Sequence, residues 1–410
     1  MERSGSRSVD ILSLSVIRGV SAAVFTISIP FLNIYLYERG FSMSLIGFVS
    51  GVSTFLGSSM RIFSGGLSDI ISPARVIFYG IFLRSLALLS VAFLIWIEAD
   101  ILLFAPAIFL NSAAFSLIIN GSNSLLSYSI KDDIKRIMAI SKVRVGINLG
   151  FSIGPIIGGF ISHYWSYMLL FVFSGIVSFL VLPLVQKLNN SEFEARNQSV
   201  SIRDYFSDMF LPLKSKLFLL VSFSTFFSAL IFSQFINTLP VYAAHYSIDK
   251  RMIGYLFTTN GLTVILMQLW ITRVSSKMFG NFVSALLGIL IYASSFVMFG
   301  ISQNFVWLVF SVFYMTLGEM LLIPSLMNTA MKISPENKKG VFLGFFEFFE
   351  TVGWALGKYV GGLVFDFFVH KPIYMWSILS GLTIFPFLSI FITMLQENSI
   401  GRAKRRYINK

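Results

Sequence analysis

Six ionisable side chains fall inside long apolar stretches of this sequence, and they are the residues most able to do chemistry. Three are basic and three are acidic: Arg18, Arg84, Lys358, Glu319, Glu347 and Glu350. A charge at the centre of a bilayer costs about 2.5–3.5 kcal/mol even on a lenient scale, so these residues should face the protein interior. A carboxylate in such surroundings takes up a proton readily, and a nearby cation favours its release. The chemistry that this set indicates is reversible proton binding.

Glu319 is the first candidate for a proton-binding site. Gly318 precedes it and Pro324 follows it, and both residue types can loosen the helix around the carboxylate. Two interpretations are open. Glu319 either exchanges a proton during function or forms a structural ion pair with Arg18, which should lie at a comparable depth in the membrane.

Glu347 and Glu350 form a second candidate site. They are three residues apart and therefore neighbours on one helix surface. Like charges so close favour protonation of one of them. The alternative is that they pair with Arg144 and other basic residues. Lys358 lies eleven residues beyond Glu347, roughly 16 Å along a helix, so direct pairing is not expected. We expect a buried structural ion pair for Arg84.

The composition restricts the class of protein. Of 410 residues, 56% are hydrophobic and only 12% are charged, against about 25% charged in an ordinary soluble domain. Cysteine is absent and the three histidines are far apart in sequence, so neither a metal site nor a disulfide is expected. The chain also lacks the glycine-rich loop that holds nucleotide phosphates. We therefore expect no cofactor and no enzyme activity.

Twelve apolar runs are long enough to cross a bilayer as helices, which need about 20 residues each. A polar stretch separates the first six runs from the last six. The sequence thus predicts an all-α membrane protein with a six-helix bundle over residues 1–186, a cytoplasmic linker over 187–216, and a second six-helix bundle with a basic tail over 217–410.

The distribution of basic residues predicts the orientation. The net charge is +12, and 24 of the 31 Lys and Arg residues fall in loops and tails on one side. Positive residues concentrate on the cytoplasmic side, so both termini are predicted to be cytoplasmic. The charge then indicates topology and contact with anionic lipid rather than a nucleic-acid partner.

An internal repeat relates the two halves. The run Gly150, Gly154, Pro155, Gly158 and Gly159 matches Gly353, Gly357, Lys358, Gly361 and Gly362 at an offset of 203 residues. Gly47 matches Gly254 at an offset of 207 residues. Glycines four residues apart let helices approach closely. We predict that both motifs lie at the interface between the halves; static helix packing is the alternative.

Three motifs resemble the major facilitator superfamily over essentially the whole chain. The segment from Gly65 to Asp69 is similar to its loop motif, although the basic residues that normally follow are reduced to Arg75. Gly150 to Gly159 resembles the fifth-span motif of its drug:proton antiporters, and Gly318 to Pro324 resembles a segment of several branches. The arginine that many proton-coupled antiporters carry in span four is missing.

The resemblance implies two pseudo-symmetric six-helix bundles that alternate between inward-open and outward-open states. Spans one, four, seven and ten would line the cavity, which places Glu319 there. It further implies a monomeric transporter in the plasma membrane, surrounded by lipid, that exports an amphipathic small molecule in exchange for protons. Proton symport or facilitated uptake of a nutrient is the alternative, and a receptor or scaffold without transport is the third interpretation.

Asp69 and Arg75 are the predicted gate. The Asp69 loop should lie at the inner end of span eleven, where a carboxylate can accept hydrogen bonds from free N–H groups and interact with the helix dipole. We expect Asp69→Asn to impair transport and leave membrane insertion intact, as measured by uptake into vesicles at matched protein levels. Full transport by this variant would contradict the assignment.

Overall fold

The structure is a computed structural model that describes residues 10–60, 71–130, 132–188, 211–301, 303–335 and 338–408. All regular elements within these ranges are helices. Twelve helical segments follow one another along the chain: α1 Ile11–Glu38, α2 Met43–Ser59, α3 Pro73–Trp96, α4 Phe104–Ser129, α5 Asp133–Tyr164, α6 Tyr167–Leu180 with its continuation Leu182–Gln186, α7 Lys216–His245, α8 Lys250–Met278, α9 Gly280–Ile301, α10 Phe305–Ile333, α11 Lys339–Phe368, and α12 Pro372–Gly381 with its continuation Ile384–Ile408.

Eleven of these segments are long and apolar enough to cross a membrane. The remaining one, α2, has 17 described residues, which span roughly 26 Å. Inside a bilayer every backbone N–H and C=O needs an internal partner, which an α-helix supplies for nearly all of its residues. The predicted all-helical membrane fold is therefore confirmed.

Side-chain caps mark several helix starts. Asp10 accepts hydrogen bonds from the Ser13 hydroxyl, at 2.6 Å, and from the backbone N–H groups of Ser13 and Leu12 at the start of α1, and these bonds lower the pKa of Asp10. Asp132 caps α5 in the same way, and Ser166 caps α6. These short polar residues favour a helix start because their side chains accept hydrogen bonds from backbone N–H groups that have no partner within the helix.

The described helices form two compact units. The first contains residues up to Phe41, Val49–Gln198 and the short segment Ala243–Gly261. The second contains Ser42–Phe48, Ser199–Tyr242 and the chain from Leu262 onward. Each unit has its own apolar core, with Ile17, Ile77 and Ile118 in the first and Phe218, Leu322 and their neighbours in the second.

Helices α1 and α5 approach one another closely within the first unit. A Cβ added to Gly150 would collide with the backbone carbonyl of Gly19, and one added to Gly154 would meet the carbonyl of Ala23. Gly158 faces the ring of Phe31 in the same way. Glycine is thus required along one face of α5 because α1 occupies the space of a side chain.

The second unit repeats this packing between α7 and α11. Gly353 lies against the backbone of Phe226, and Gly357 lies against Leu230 and Ser233. Gly361 faces Gln234, whose buried side-chain amide donates hydrogen bonds of 2.8 Å to the carbonyls of Leu230 and Gly357. The same helix pair is therefore joined by close backbone contact and by a buried amide.

We expect Gly150→Ala to lower the melting temperature of the purified protein and its yield as a monodisperse species. The new methyl group has no space against the Gly19 carbonyl, and overpacking a well-packed site costs about 1–3 kcal/mol.

Gly344→Ala in α11 is the matched control, because nothing lies within 4 Å of a Cβ at that position. This variant should be neutral or up to about 1 kcal/mol more stable, since alanine favours helix more than glycine does. Equal melting temperatures for the two variants would show that α1 and α5 do not pack as described.

Candidate functional site

The structure divides each repeated glycine motif between two contacts. Three glycines of each motif face a helix of the same sequence half, α1 or α7. The fourth faces a helix start from the other half: Gly159 lies against Lys250 and Arg251 at the start of α8, and Gly362 lies against Met43 and Ser44 at the start of α2. Each motif therefore combines close packing within a sequence half with a contact to a helix start from the other half, and its role at an interface between the bundles stays a prediction.

Two further glycines complete these contacts. Gly254 of α8 lies against the carbonyl of Pro155 within the first unit, and Gly47 of α2 lies against the carbonyl of Lys358 within the second. Pro155 and Lys358 are the corresponding residues of the two motifs. The sequence repeat is thus matched by a structural repeat: the first turn of α8 packs against α5 as the first turn of α2 packs against α11.

Asp366 of α11 caps the start of α2. Its two carboxylate oxygens each accept a hydrogen bond of 2.8 Å, one from the backbone N–H of Met43 and one from that of Ser44. A carboxylate at this position satisfies free N–H groups and also interacts favourably with the positive end of the helix dipole. Asp366 therefore fixes the place where α2 begins.

Asp249 holds the start of α8 in a different way. One carboxylate oxygen accepts hydrogen bonds from the backbone N–H of Arg251, at 2.8 Å, and from its Nε, at 3.0 Å. The other lies 3.2 Å from Nδ1 of His163 at the end of α5. The side-chain hydrogen bond from Arg251 lowers the pKa of Asp249, and the charges of Arg251 and His163 act in the same direction.

A second cluster secures the same helix start to α1 and α6. The Lys250 ammonium lies 3.0 Å from Glu38 and 4.3 Å from the centre of the Tyr167 ring. Tyr167 in turn donates a hydrogen bond of 3.0 Å to Glu38. Lys250 and Arg251 thus hold the start of α8 through different partners, Lys250 through Glu38 and Arg251 through Asp249.

These helix-start residues were not among the predicted site residues, although the repeat could have identified them. Asp366 and His163 are separated by the same 203 residues that relate Gly353 to Gly150. Asp249 and Ser42 are separated by the 207 residues that relate Gly254 to Gly47. Extending the alignment by a few residues would have placed polar side chains at both contacts.

Glu319 occupies the centre of α10, with 14 residues of the helix on either side. The side chain is partly buried, and its charge acts on the buried hydroxyl of Tyr292 in α9. The neighbouring Gly318 lies against Gly288 of α9, so the two backbones are close at this depth. Glu319 therefore lies at the midpoint of α10, and its charge reaches the buried Tyr292 phenol of the neighbouring helix α9.

The other charges of the apolar stretches differ in their surroundings. Arg18 is partly buried in α1, Lys358 is buried in α11, and Glu347 and Glu350 are exposed on α11. Arg18 belongs to the first unit and Glu319 to the second, so their pairing stays a prediction. Proton sharing between Glu347 and Glu350 also stays a prediction.

The structure contradicts the expectation of a buried ion pair for Arg84. Among the described residues, no acidic side chain pairs with it, and its guanidinium lies 5.0 Å from the centre of the Phe115 ring instead. The described neighbours of Arg84 include Phe115, Ile81 and Ser178, none of which carries a carboxylate.

The predicted gate is described only in part. Asp69 lies outside the described residues. Arg75 is exposed in the first turn of α3, where its backbone N–H donates a hydrogen bond of 3.3 Å to the Ser72 hydroxyl. The role of both residues in gating stays a prediction.

The fold defines a multi-pass α-helical membrane protein whose two halves repeat the same helix contacts. Comparison with known families gives the class: the Major Facilitator Superfamily model matches residues 14–358. The chain therefore belongs to this superfamily of membrane transporters, which confirms the expectation of a transporter rather than an enzyme.

Two relatives illustrate the similarity in sequence. The chain is 27% identical to the MFS-type transporter YqjV of Bacillus subtilis over 390 residues, which cover 93% of each protein. It is 23% identical to the quinolone resistance protein NorA of Staphylococcus aureus over 351 residues, which cover 85% of this chain and 87% of NorA.

Solved structures share the fold at lower identity. The nucleoside transporter NupG superposes with a TM-score of 0.77 at 15% identity, covering 94% of this chain and 98% of NupG. The peptide transporter POT in complex with sulfate superposes with a TM-score of 0.76 at 16% identity, covering 96% of this chain and 95% of POT. These similarities establish the architecture.

We expect Asp366→Ala to destabilise the protein by about 1–2 kcal/mol, because it removes two hydrogen bonds from a helix start. Asp100→Ala is the control, since Asp100 accepts a single exposed hydrogen bond from the Leu102 N–H at the start of a three-residue helix. Thermal unfolding of both variants in the same detergent measures the difference. The cap assignment fails if Asp366→Ala is no less stable than Asp100→Ala.

Proposed function

We propose that this transporter exports a small amphipathic compound from the cell in exchange for protons, by alternating access. Glu319 is the proposed proton-binding residue. Glu347 and Glu350 are the proposed second proton site, and Asp69 and Arg75 the proposed gate.

The position of Glu319 is the observation that carries this proposal. It is a partly buried carboxylate at the midpoint of a membrane-spanning helix, and its charge acts on Tyr292. An acidic residue at this depth is expensive unless it has a function or a partner. A carboxylate that binds a proton in one state and releases it when a cationic substrate arrives couples the two movements.

The direction of transport rests on similarity in sequence. NorA is described as a quinolone resistance protein, and removal of a drug from the cell is the simplest way for a transporter to confer resistance. The run from Gly150 to Gly159 is similar to a motif of drug:proton antiporters. Together these features support export over uptake.

The packing supports a distinction between helix pairs that stay together during alternating access and helix contacts that change. The α1–α5 and α7–α11 contacts bring backbones together along several helical turns, so we propose that each pair moves as one body. The starts of α2 and α8 each lie on a helix from the other half of the sequence. We propose that these two contacts break and reform as the halves rotate.

The proposed setting is the plasma membrane, with both termini in the cytoplasm and a monomer as the working unit. The inward concentration of Lys and Arg predicts this orientation. Residues 1–186 and 217–410 are proposed as the two bundles, joined by the linker 187–216.

Transport by the purified protein in liposomes tests the coupling. A gradient of about one pH unit is imposed across the liposome membrane, and the accumulation of each member of a panel of amphipathic cations, including a fluorescent quinolone, is measured. One-for-one exchange against protons can support roughly a tenfold substrate gradient. Glu319→Gln should abolish this accumulation while still permitting exchange of labelled for unlabelled substrate, because a neutral side chain can carry substrate without moving a proton.

Glu397→Gln is the matched control, since Glu397 pairs with Lys332 at a distance of 2.8 Å outside the proposed site. It should accumulate substrate like the unmodified protein. Movement of substrate together with protons would establish uptake instead of export. Accumulation by Glu319→Gln equal to that of the control would exclude Glu319 as the coupling residue, and no transport across the whole panel would contradict the proposal of export.

A further inference from the structure

Arg84 is a buried cation in the middle of the first unit. It is the twelfth of the 24 residues of α3, so roughly 17 Å of helix separates it from either end. Only 1% of its surface is exposed. A guanidinium in this position has lost its hydration and needs a replacement.

The described protein supplies little of that replacement. The Nε, Nη1 and Nη2 atoms of Arg84 are all buried and have no hydrogen-bond partner among the described residues. The centre of the Phe115 ring lies 5.0 Å from the guanidinium carbon and provides a cation–π contact. This contact stabilises part of the positive charge, but the ring accepts no directed hydrogen bond. Five N–H donors of the guanidinium are therefore available to a further partner.

A second positive charge acts on the same place. The Arg18 guanidinium of α1 is close enough to repel that of Arg84. The described acidic residues of the first unit lie at helix ends or in loops: Asp10, Glu38, Glu98, Asp100, Asp132, Asp133 and Asp249. The interior of this unit thus holds two positive charges near one another, and no described carboxylate pairs with Arg84.

A small cavity adjoins the Arg84 side chain. Its volume is about 10 Å³, and its lining includes Arg84, the hydroxyl-bearing residues Ser21 and Ser178, and aliphatic side chains such as Ile81 and Ile118. Such a volume suits one small occupant rather than several.

We propose that this cavity binds one small monovalent anion of the size of chloride, held by Arg84 and lined by Ser21 and Ser178. The anion accepts hydrogen bonds from the guanidinium, and such charge-assisted bonds are strong in surroundings of low dielectric constant. It also offsets the repulsion between Arg84 and Arg18. This anion is a structural ligand that joins α1, α3, α4 and α6, and it is distinct from the transported compound.

Thermal unfolding of the full-length purified protein in detergent tests the site. Sodium chloride or bromide replaces sodium gluconate at constant ionic strength, so that only the anion changes. A ligand that binds the folded state alone raises its stability, and we expect a saturable increase of about 2–4 °C in melting temperature. Arg84→Leu should fold, because replacing a buried charge by an apolar residue is often neutral or stabilising, and should show no halide effect. Arg75→Leu, an exposed position on the same helix, should retain the full effect.

Anomalous scattering from bromide in crystals of the unmodified protein tests the site without any variant. A peak beside the Arg84 guanidinium is the expected result. The proposal is wrong if halide and gluconate give the same melting temperature, if Arg84→Leu responds as strongly as Arg75→Leu, or if the cavity contains only water in bromide.

Discussion

The close approach of helix backbones at glycine is the constraint on which the structure of each unit depends. Between lipid-facing helices the hydrophobic effect gives little attraction, so shape and polar contacts must hold them together. Gly150 and Gly154 let α5 meet the backbone of α1, and Gly353 and Gly357 do the same for α11 and α7. The fourth glycine of each motif receives the start of α8 or α2. One short repeated motif therefore organises both the tight pairs and the contacts that we propose to move.

Charge is the second constraint, because only 12% of the residues are charged. Basic and acidic residues at the starts of α2 and α8 form short, well-directed contacts, as for Asp366 and Lys250. Deep in the two units the charges have different surroundings. The charge of Glu319 acts on the buried Tyr292 phenol in the second unit, and Arg84 lies against an aromatic ring and a small cavity in the first. Proton exchange and anion binding are the roles that we propose for these two residues.

The sequence was sufficient for the fold because a run of about 20 apolar residues has one stable conformation in lipid. It also located Glu319, since a carboxylate within such a run is conspicuous. Partners were harder to predict: Arg84 was expected to pair with an acid, but which side chains converge on it depends on how α3 rotates against α4. Asp366 was missed because a cap supplied by a distant helix leaves no local signal at Met43, although the repeat offset pointed to it.

Crosslinking tests most directly the claim that tight helix pairs persist while the helix starts separate. The chain contains no cysteine, so pairs can be introduced without other changes. The first pair, Phe48→Cys with Tyr359→Cys, joins α2 to α11 at a place where the centres of the two native rings lie 5.8 Å apart. The second pair, Ser15→Cys with Lys142→Cys, joins α1 to α5 at a place where the Ser15 hydroxyl donates a 3.0 Å hydrogen bond to the Lys142 carbonyl. Transport in liposomes after treatment with a short, reducible crosslinker is the measurement. Our account predicts that the α2–α11 crosslink stops transport reversibly and that the α1–α5 crosslink leaves it intact; undiminished transport with α2 fixed to α11 would contradict it.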